Sequence, residues 1–115
     1  MATRDSVPLS PAAFHILVAL AEGNKHGYAI MKDVAAVTAG EVQLNPGTLY
    51  TTIKRLLEDD LIREVNAPRD AESSDERRRY YALTPAGLET ARTEMERLRG
   101  MIRRASARLS PKPLG

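Results

Sequence analysis

The side chains best suited to bind a partner lie in two short stretches of the sequence. Residues 47–55 read GTLYTTIKR, which places hydroxyl groups and two cations close together, and residues 77–79 are three consecutive arginines. Hydroxyl groups and cations bind phosphate oxygens and the polar edges of bases. If one surface displays both stretches, the chemistry they indicate is nucleic-acid binding.

Patterns for catalysis or metal binding are weak in this sequence. There is no cysteine, which excludes disulfides, thiolate nucleophiles and thiolate metal ligands. His15 and His26 have no acid or third ligand at metal spacing, and Ser73 and Ser74 have no histidine nearby in sequence. We therefore expect no enzymatic activity, no metal site and no cofactor.

The charge is distributed unevenly along the chain. The 115 residues fit one domain, and the net charge is only +2. Residues 1–84 hold 10 basic and 12 acidic side chains, whereas residues 85–115 hold seven basic and three acidic ones. No run approaches the roughly 18 apolar residues of a membrane span, and the N-terminus does not resemble a signal sequence. We expect a cytoplasmic protein with no membrane partner, whose nucleic-acid binding must depend on local clusters.

Three places in the sequence show the same helix-start signal. Ser10-Pro11, Asn45-Pro46 and Thr84-Pro85 each pair a capping side chain with a proline suited to the first helical position. With the apolar periodicity, they predict helices over about 11–22, 46–59 and 85–109, and a further helix over about 27–38. Residues 61–65 and 79–83 predict two strands of an antiparallel hairpin, joined by a polar loop over 66–78.

This order of elements is that of a winged helix-turn-helix followed by a long helix. The predicted fold is mainly α with a small β-hairpin, divided into a DNA-binding domain over 9–84, a dimerisation helix over 85–109, and flexible ends at 1–8 and 110–115. In the third helix, Leu49, Ile53, Leu56 and Leu57 form the buried stripe, so the polar side chains must face outward. The predicted DNA contacts on that face are Thr48, Tyr50, Thr51, Lys54 and Arg55. Arg77, Arg78 and Arg79 are predicted to contact phosphate from the wing.

The last helix contains an apolar seam with alternating spacings of three and four residues, which is a heptad pattern over three repeats. The seam consists of Leu88, Ala91, Met95, Leu98, Ile102, Ala105 and Leu109. An apolar strip of this length on a small protein predicts a homodimer in which two such helices pair.

Several segments together resemble the PadR family of bacterial transcriptional regulators. These segments are His26-Gly27-Tyr28-Ala29-Ile30, Pro46-Gly47-Thr48-Leu49-Tyr50, Ile53-Lys54-Arg55-Leu56, Leu61-Ile62, and residues 78–87, which read RRYYALTPAG. The resemblance covers nearly the whole chain from Leu9 to Leu109, and it implies a dimeric winged helix-turn-helix repressor of the compact subfamily. The GTLY element together with the arginine-tyrosine strand is fairly specific to the family.

Residue roles follow from this resemblance position by position. It implies that Thr48, Tyr50 and Lys54 contact the operator, with Arg55 beside them. It also implies that Gly47 permits the backbone to approach a phosphate closely. The hydroxyl of Tyr28 is expected to reach a phosphate as well. Two features depart from the family pattern. Residue 51 is threonine where many members have proline, and the absence of tryptophan excludes the aromatic drug sandwich that some members use.

Two other functions remain open from the residues. The first is a protein-interaction module that displays the heptad helix without binding DNA; hydrophobic residues on the outer face of the third helix would indicate it. The second, compatible with DNA binding, is a sensor for a small-molecule effector. Met95, Leu98, Met101 and Ile102 are candidates to line a dimer cavity, although packing within the core is the commoner role for such residues.

Overall fold

Side-chain caps begin the helices of the structure as the sequence predicts. In the computed structural model, which describes residues 8–68 and 79–111, the side chains of Ser10, Asn45 and Thr84 each accept a hydrogen bond from a first-turn backbone N–H. The helices are α1 (Pro11–Glu22), α2 (Gly27–Val37), α3 (Pro46–Glu58) and α4 (Pro85–Leu109). The cap of α2 is unexpected, because His26 Nδ1 accepts from the Ala29 N–H at 3.1 Å. The predicted flexible ends lie mostly outside the described residues.

The described residues form a sheet of three strands rather than the predicted two. The strands are β1 (Lys25–His26), β2 (Ile62–Val65) and β3 (Tyr80–Leu83), arranged antiparallel in the order β1-β3-β2. Ile62 pairs with Leu83 and Val65 with Tyr80, as expected for the wing hairpin. The short β1 adds to the other edge of β3 through the pairs Lys25 with Tyr81 and His26 with Tyr80. The mainly helical winged helix-turn-helix prediction is confirmed, with this additional strand.

The core of the protein is built around α1. Ile16 and Leu17 of α1 are fully buried and pack with Ile30 of α2, Leu49 of α3 and Ile62 of β2. α1 contacts α2, α3, α4 and β3, so it holds both helices of the helix-turn-helix and the wing in one unit. Burial of these side chains supplies the main stabilisation of the arrangement, at about 1.5–3 kcal/mol for each large aliphatic side chain.

A tight junction joins the end of α3 to the start of α4. The Thr84 hydroxyl accepts from the Gly87 N–H at 2.9 Å and donates to the carbonyl of Asp60 at 2.7 Å. The Thr84 N–H donates to the carbonyl of Leu61 at 3.1 Å. The α-carbon of Gly87 lies so close to that carbonyl that a Cβ there would overlap it. Glycine at position 87 is therefore required by close packing between helix and backbone.

This junction generates a prediction about stability. Gly87→Ala is expected to lower the free energy of unfolding by about 3 kcal/mol, because a methyl group would have to displace the backbone of Leu61. Urea denaturation measures the change. Gly23→Ala is the matched control, since a Cβ at Gly23 meets no atom within 4 Å, and it should change stability by less than about 1 kcal/mol. Equal stabilities of the two variants would contradict the close packing at Gly87.

Candidate nucleic-acid interface

The outer face of α3 presents the side chains that the sequence predicts as DNA contacts. Leu49, Ile53 and Leu56 are buried in the core, which fixes the rotation of the helix. The exposed residues on the remaining surface include Gly47, Thr48, Tyr50, Thr51, Lys54 and Arg55. Leu57, predicted as part of the buried stripe, is half-buried and packs at the edge of the core. The structure thus brings the predicted contacts of α3 onto one surface of the protein.

Tyr50 lies at the contact between the two helices of the helix-turn-helix. Its hydroxyl and ring lie against Gly27, where an added Cβ would overlap them, yet 52% of the residue remains exposed. Gly27 is itself buried at the first position of α2. The glycine therefore provides the space that Tyr50 occupies, and the contact sets the position of the tyrosine ring relative to α2.

An aromatic cluster surrounds the start of α2. The His26 ring stacks on Tyr28, with centroids 6.5 Å apart and planes within 9°, and meets Tyr80 of β3 edge-on at 5.2 Å. Tyr28 is exposed, and Lys32 Nζ lies 5.5 Å from its ring centroid, within cation–π range. α2 therefore adds an exposed phenol and an ammonium group beside the α3 surface. The sequence analysis did not predict Lys32 as a contact residue, although the spacing of four residues between Tyr28 and Lys32 can be read from the sequence.

The base of the wing contributes Arg79, whereas Arg77 and Arg78 lie outside the described residues. The Arg79 side chain is largely exposed, and its Nε lies 3.8 Å from a carboxylate oxygen of Glu64 on β2. Tyr81 of β3, two residues after Arg79 in the sequence, is buried close to the Arg79–Glu64 pair. Burial raises the pKa of the Tyr81 hydroxyl above its ordinary value, and the charges of Glu64 and Tyr50 add to the rise, which Arg79 opposes.

A buried carboxylate joins the beginning of the described chain to α4. Glu94 is only 5% exposed, and it accepts hydrogen bonds from Arg97 Nε at 3.1 Å and from the Leu9 N–H at 3.4 Å. The hydrogen bond from Arg97 lowers the pKa of Glu94, and the Leu9 N–H acts in the same direction, whereas burial opposes them. Nothing in the sequence pattern distinguished this acid from its exposed neighbours.

The predicted seam of α4 lies partly in the hydrophobic core and partly on the surface. Ala91, predicted as part of the seam, is 9% exposed and belongs to the hydrophobic core of the chain itself. Leu88, Leu98 and Ala105 are half-buried, and Met95 is exposed. Further along, Ile102 is 63% and Leu109 is 80% exposed. The second half of α4 thus displays apolar side chains beyond the core of the chain.

Within residues 8–68 and 79–111, no group of three or more His, Asp or Glu side chains is arranged to hold a metal ion. None of the helices in that part of the chain is long and apolar enough to cross a membrane.

The fold and the exposed α3 surface define a winged helix-turn-helix protein. Residues 16–93 match the transcriptional regulator PadR-like family, and the chain belongs to that family. The resemblance inferred from the GTLY and RRYYALTPAG segments is therefore confirmed. Family members are non-enzymatic transcription regulators, and the chain is accordingly a transcription regulator.

A solved structure of a PadR family member agrees with this assignment, and a second solved structure and a curated protein are also similar to the chain. A PadR family transcription regulator from Clostridium difficile is 25% identical, with a TM-score of 0.74 over 88% of this chain and 100% of its own. A transcriptional regulator from Clostridium thermocellum shares the fold at 24% identity, with a TM-score of 0.71 over 87% of this chain and 90% of its own. An uncharacterized 37.1 kDa protein of transposon TN4556 from Streptomyces fradiae is 37% identical over 90 residues. That match includes 76% of this chain, which spans 24% of the relative's length.

The buried Glu94 generates a prediction about pH. Because its pKa is lowered in the folded state, the stability it contributes is present above the ordinary pKa of 4.5 and is lost as the pH falls below that value. Glu94→Gln should therefore lower the free energy of unfolding at pH 7 by about 1–2 kcal/mol. The difference from the wild type should shrink as the pH is lowered to about 3.

Glu96→Gln is the matched control for this measurement. Glu96 pairs with Arg99 at 3.3 Å on the same helix, but both side chains are exposed, so the pair contributes little. Urea titrations of both variants at the two pH values compare the sites directly. A Glu94→Gln penalty that did not depend on pH would contradict the role assigned to the carboxylate charge.

Proposed function

We propose that this transcription regulator is a sequence-specific DNA-binding repressor that acts as a homodimer on an inverted-repeat operator in the cytoplasm. The observation that supports the proposal best is the outer face of α3, where hydroxyl groups and cations cover a helix whose apolar side is fully used by the core. A helix with this distribution suits the major groove of double-stranded DNA, where base edges and flanking phosphates are both within reach.

The surrounding elements suit phosphate contacts on either side of α3. Lys54 and Arg55 are cations on α3 itself, and Tyr28 and Lys32 are exposed on α2, whose first residue, Gly27, contacts Tyr50. Arg79 stands at the base of the wing, and Arg77 and Arg78 precede it in the sequence. In the proposed complex, Thr48, Tyr50 and Thr51 read base edges, while the cations fix the orientation of the protein on the backbone.

Dimerisation through α4 follows from the exposed apolar side chains of its second half. Ile102 and Leu109, with Met95 and Met101, form a surface that a second α4 would cover. The charges favour an antiparallel pair. Residues 97–108 contain five arginines and no acid, whereas residues 85–96 contain three glutamates and one arginine. Antiparallel pairing sets these halves against each other, whereas parallel pairing would oppose the two arginine-rich halves.

The dimer determines the form of the operator. Two copies of α3 related by a two-fold axis enter major grooves that face the same side of the DNA, about 34 Å or 10 base pairs apart. The 25 residues of α4 extend about 37 Å, which suffices to hold the two DNA-binding units near that separation. The half-sites are therefore inverted repeats about one helical turn apart, and occupancy of such a site represses by blocking the promoter.

The protein-interaction module is the weaker alternative. It would require apolar side chains on the outer face of α3 to hold a protein partner. The exposed positions there are instead threonines, a lysine and an arginine beside Tyr50. The exposed part of α4 fits both functions, so it does not discriminate between them.

Tyr50→Phe and Lys54→Ala test the role of α3 in two different ways. A site selected from a random DNA pool serves as the operator, and affinity is measured across a series of salt concentrations. Lys54→Ala should weaken binding and reduce the log–log salt slope by about one, because one phosphate contact is lost. Tyr50→Phe should weaken binding by about 1 kcal/mol with little change in slope, because it removes only a neutral hydrogen bond.

The two variants control for each other, and thermal unfolding checks that both remain folded. Each side chain lies largely outside the core, so stability should change little. If wild-type protein selects no DNA sequence, or if both variants bind as tightly as the wild type at fixed salt, α3 is not the reading helix.

Ile102→Asp combined with Leu109→Asp tests the dimer. Both residues are largely exposed in the protomer, so the variant should fold but sediment as a monomer at micromolar concentration, and its operator affinity should fall at least 100-fold. Thr93→Asp combined with Ala107→Asp is the control, since it adds the same two charges to exposed positions on the side of α4 away from the seam. Wild-type protein that sediments as a monomer would contradict the proposal.

A further inference from the structure

Three aromatic rings meet where β1 passes into α2, and His26 is the middle one. Its ring stacks against Tyr28 of α2 at a centroid separation of 6.5 Å and meets Tyr80 of β3 edge-on at 5.2 Å. Tyr80 is only 8% exposed, whereas Tyr28 is 53% exposed. We call these three side chains the His26 cluster. The cluster therefore connects a buried strand of the wing to a side chain on the protein surface.

The ring of His26 is held in one orientation from two directions. Its Nδ1 accepts from the Ala29 N–H at 3.1 Å, so this nitrogen carries no proton and the ring caps α2. The backbone of His26 pairs with that of Tyr80 in the sheet, and the buried Tyr80 ring contacts the imidazole. A half-buried ring with these contacts offers a fixed face to Tyr28.

The exposed Tyr28 side chain is packed on few sides, so the His26 ring is an important constraint on it. Lys32 Nζ, at 5.5 Å from the Tyr28 ring centroid, is a further contact, but it belongs to a long and exposed side chain. A surface side chain without a rigid neighbour samples several rotamers, and restricting it on binding lowers affinity. A Tyr28 ring that already lies against His26 has lost part of this freedom before DNA binds.

We propose that His26 is a positioning residue for DNA binding, whose ring directs the Tyr28 hydroxyl toward a phosphate. This role rests on the proposed DNA-binding function, in which Tyr28 and Arg79 both contact the DNA backbone. Arg79 directly precedes Tyr80, so the His26 cluster also sets the Tyr28 contact on α2 relative to the Arg79 contact at the base of the wing.

His26 has a second role as the cap of α2, and two substitutions separate the two roles. Asparagine at position 26 keeps a capping side chain but removes the ring, whereas phenylalanine keeps the ring but cannot accept from the Ala29 N–H. His26→Asn should weaken operator binding about threefold to tenfold, as expected for the cost of ordering one side chain. His26→Phe should bind within about twofold of the wild type, because an aromatic face remains for Tyr28.

The opposite order of affinities would overturn the proposal. If His26 acted only through the cap, His26→Asn would bind as tightly as the wild type and His26→Phe would bind more weakly. Thermal unfolding checks that each variant is folded at the temperature of the binding measurement. Each variant is informative by itself, so failure of one to fold leaves the other as the test.

A double-mutant cycle with Tyr28→Ala tests whether His26 acts through Tyr28. In the Tyr28→Ala background, His26→Asn should change operator affinity by less than about twofold, because no tyrosine ring remains for the imidazole to hold. An equal loss of affinity in both backgrounds would show that His26 contacts DNA itself or acts through the backbone. That result would overturn the positioning role.

The stacking is tested without DNA by NMR spectroscopy of the wild-type protein and His26→Asn. Nuclear Overhauser effects should connect the ring protons of His26 to those of Tyr28 and of Tyr80 in the wild type. In His26→Asn, the Tyr28 ring resonances should shift toward those of an unpacked tyrosine. Absence of the effects between His26 and Tyr28 in the wild type would overturn the proposal, whatever the protein does with DNA.

The binding measurements also distinguish failure of the positioning role from failure of the proposed function. Wild-type protein that selects a DNA sequence, together with a His26→Asn variant that binds this sequence equally tightly, would overturn the positioning role alone. Wild-type protein that binds no DNA would refute the proposed function and the positioning role with it, even if the NMR spectra show the stacked rings.

Discussion

The close approach of α4 to the corner between α3 and β2 is the constraint on which the rest of the structure depends. The Leu61 carbonyl accepts from the Thr84 N–H and lies against the α-carbon of Gly87, while the Thr84 hydroxyl binds the Asp60 carbonyl. Asp60 has a positive φ of 60°, which turns the chain from α3 into the wing. One junction therefore fixes three relations: α3 to the wing, the wing to α4, and α4 to the core.

Local sequence signals predicted the helices well because capping is a local interaction. Ser10, Asn45 and Thr84 each act within three residues of their own position, so the predicted starts of α1, α3 and α4 coincide with the structure. Strand β1 has no such signal. It is two residues long, too short for an alternating pattern, and it exists because Lys25 and His26 lie beside the free edge of β3.

The candidate interface was predictable only where helical periodicity determines it. Once the apolar stripe of α3 is assigned to the core, the exposure of Lys54 and Arg55 follows from geometry. The buried state of Glu94 does not follow, because it depends on Leu9, which is 85 residues away in the sequence. Ala91 illustrates a different limit. A heptad spacing shows that residues share one side of a helix, but it does not show whether that side faces the same protomer or a partner.

The two flanks of α3 lie in unlike surroundings. On one flank, Tyr50 lies against Gly27, so its ring is positioned by a close backbone contact. On the other flank, Thr51 and Arg55 border a cavity, so fewer atoms pack against them. Side chains beside a cavity change partners at little cost to the core, whereas those in close packing do not. The side chains on the two flanks therefore differ in their freedom to move, whereas the position of α3 itself is set by the buried side chains of Leu49, Ile53 and Leu56.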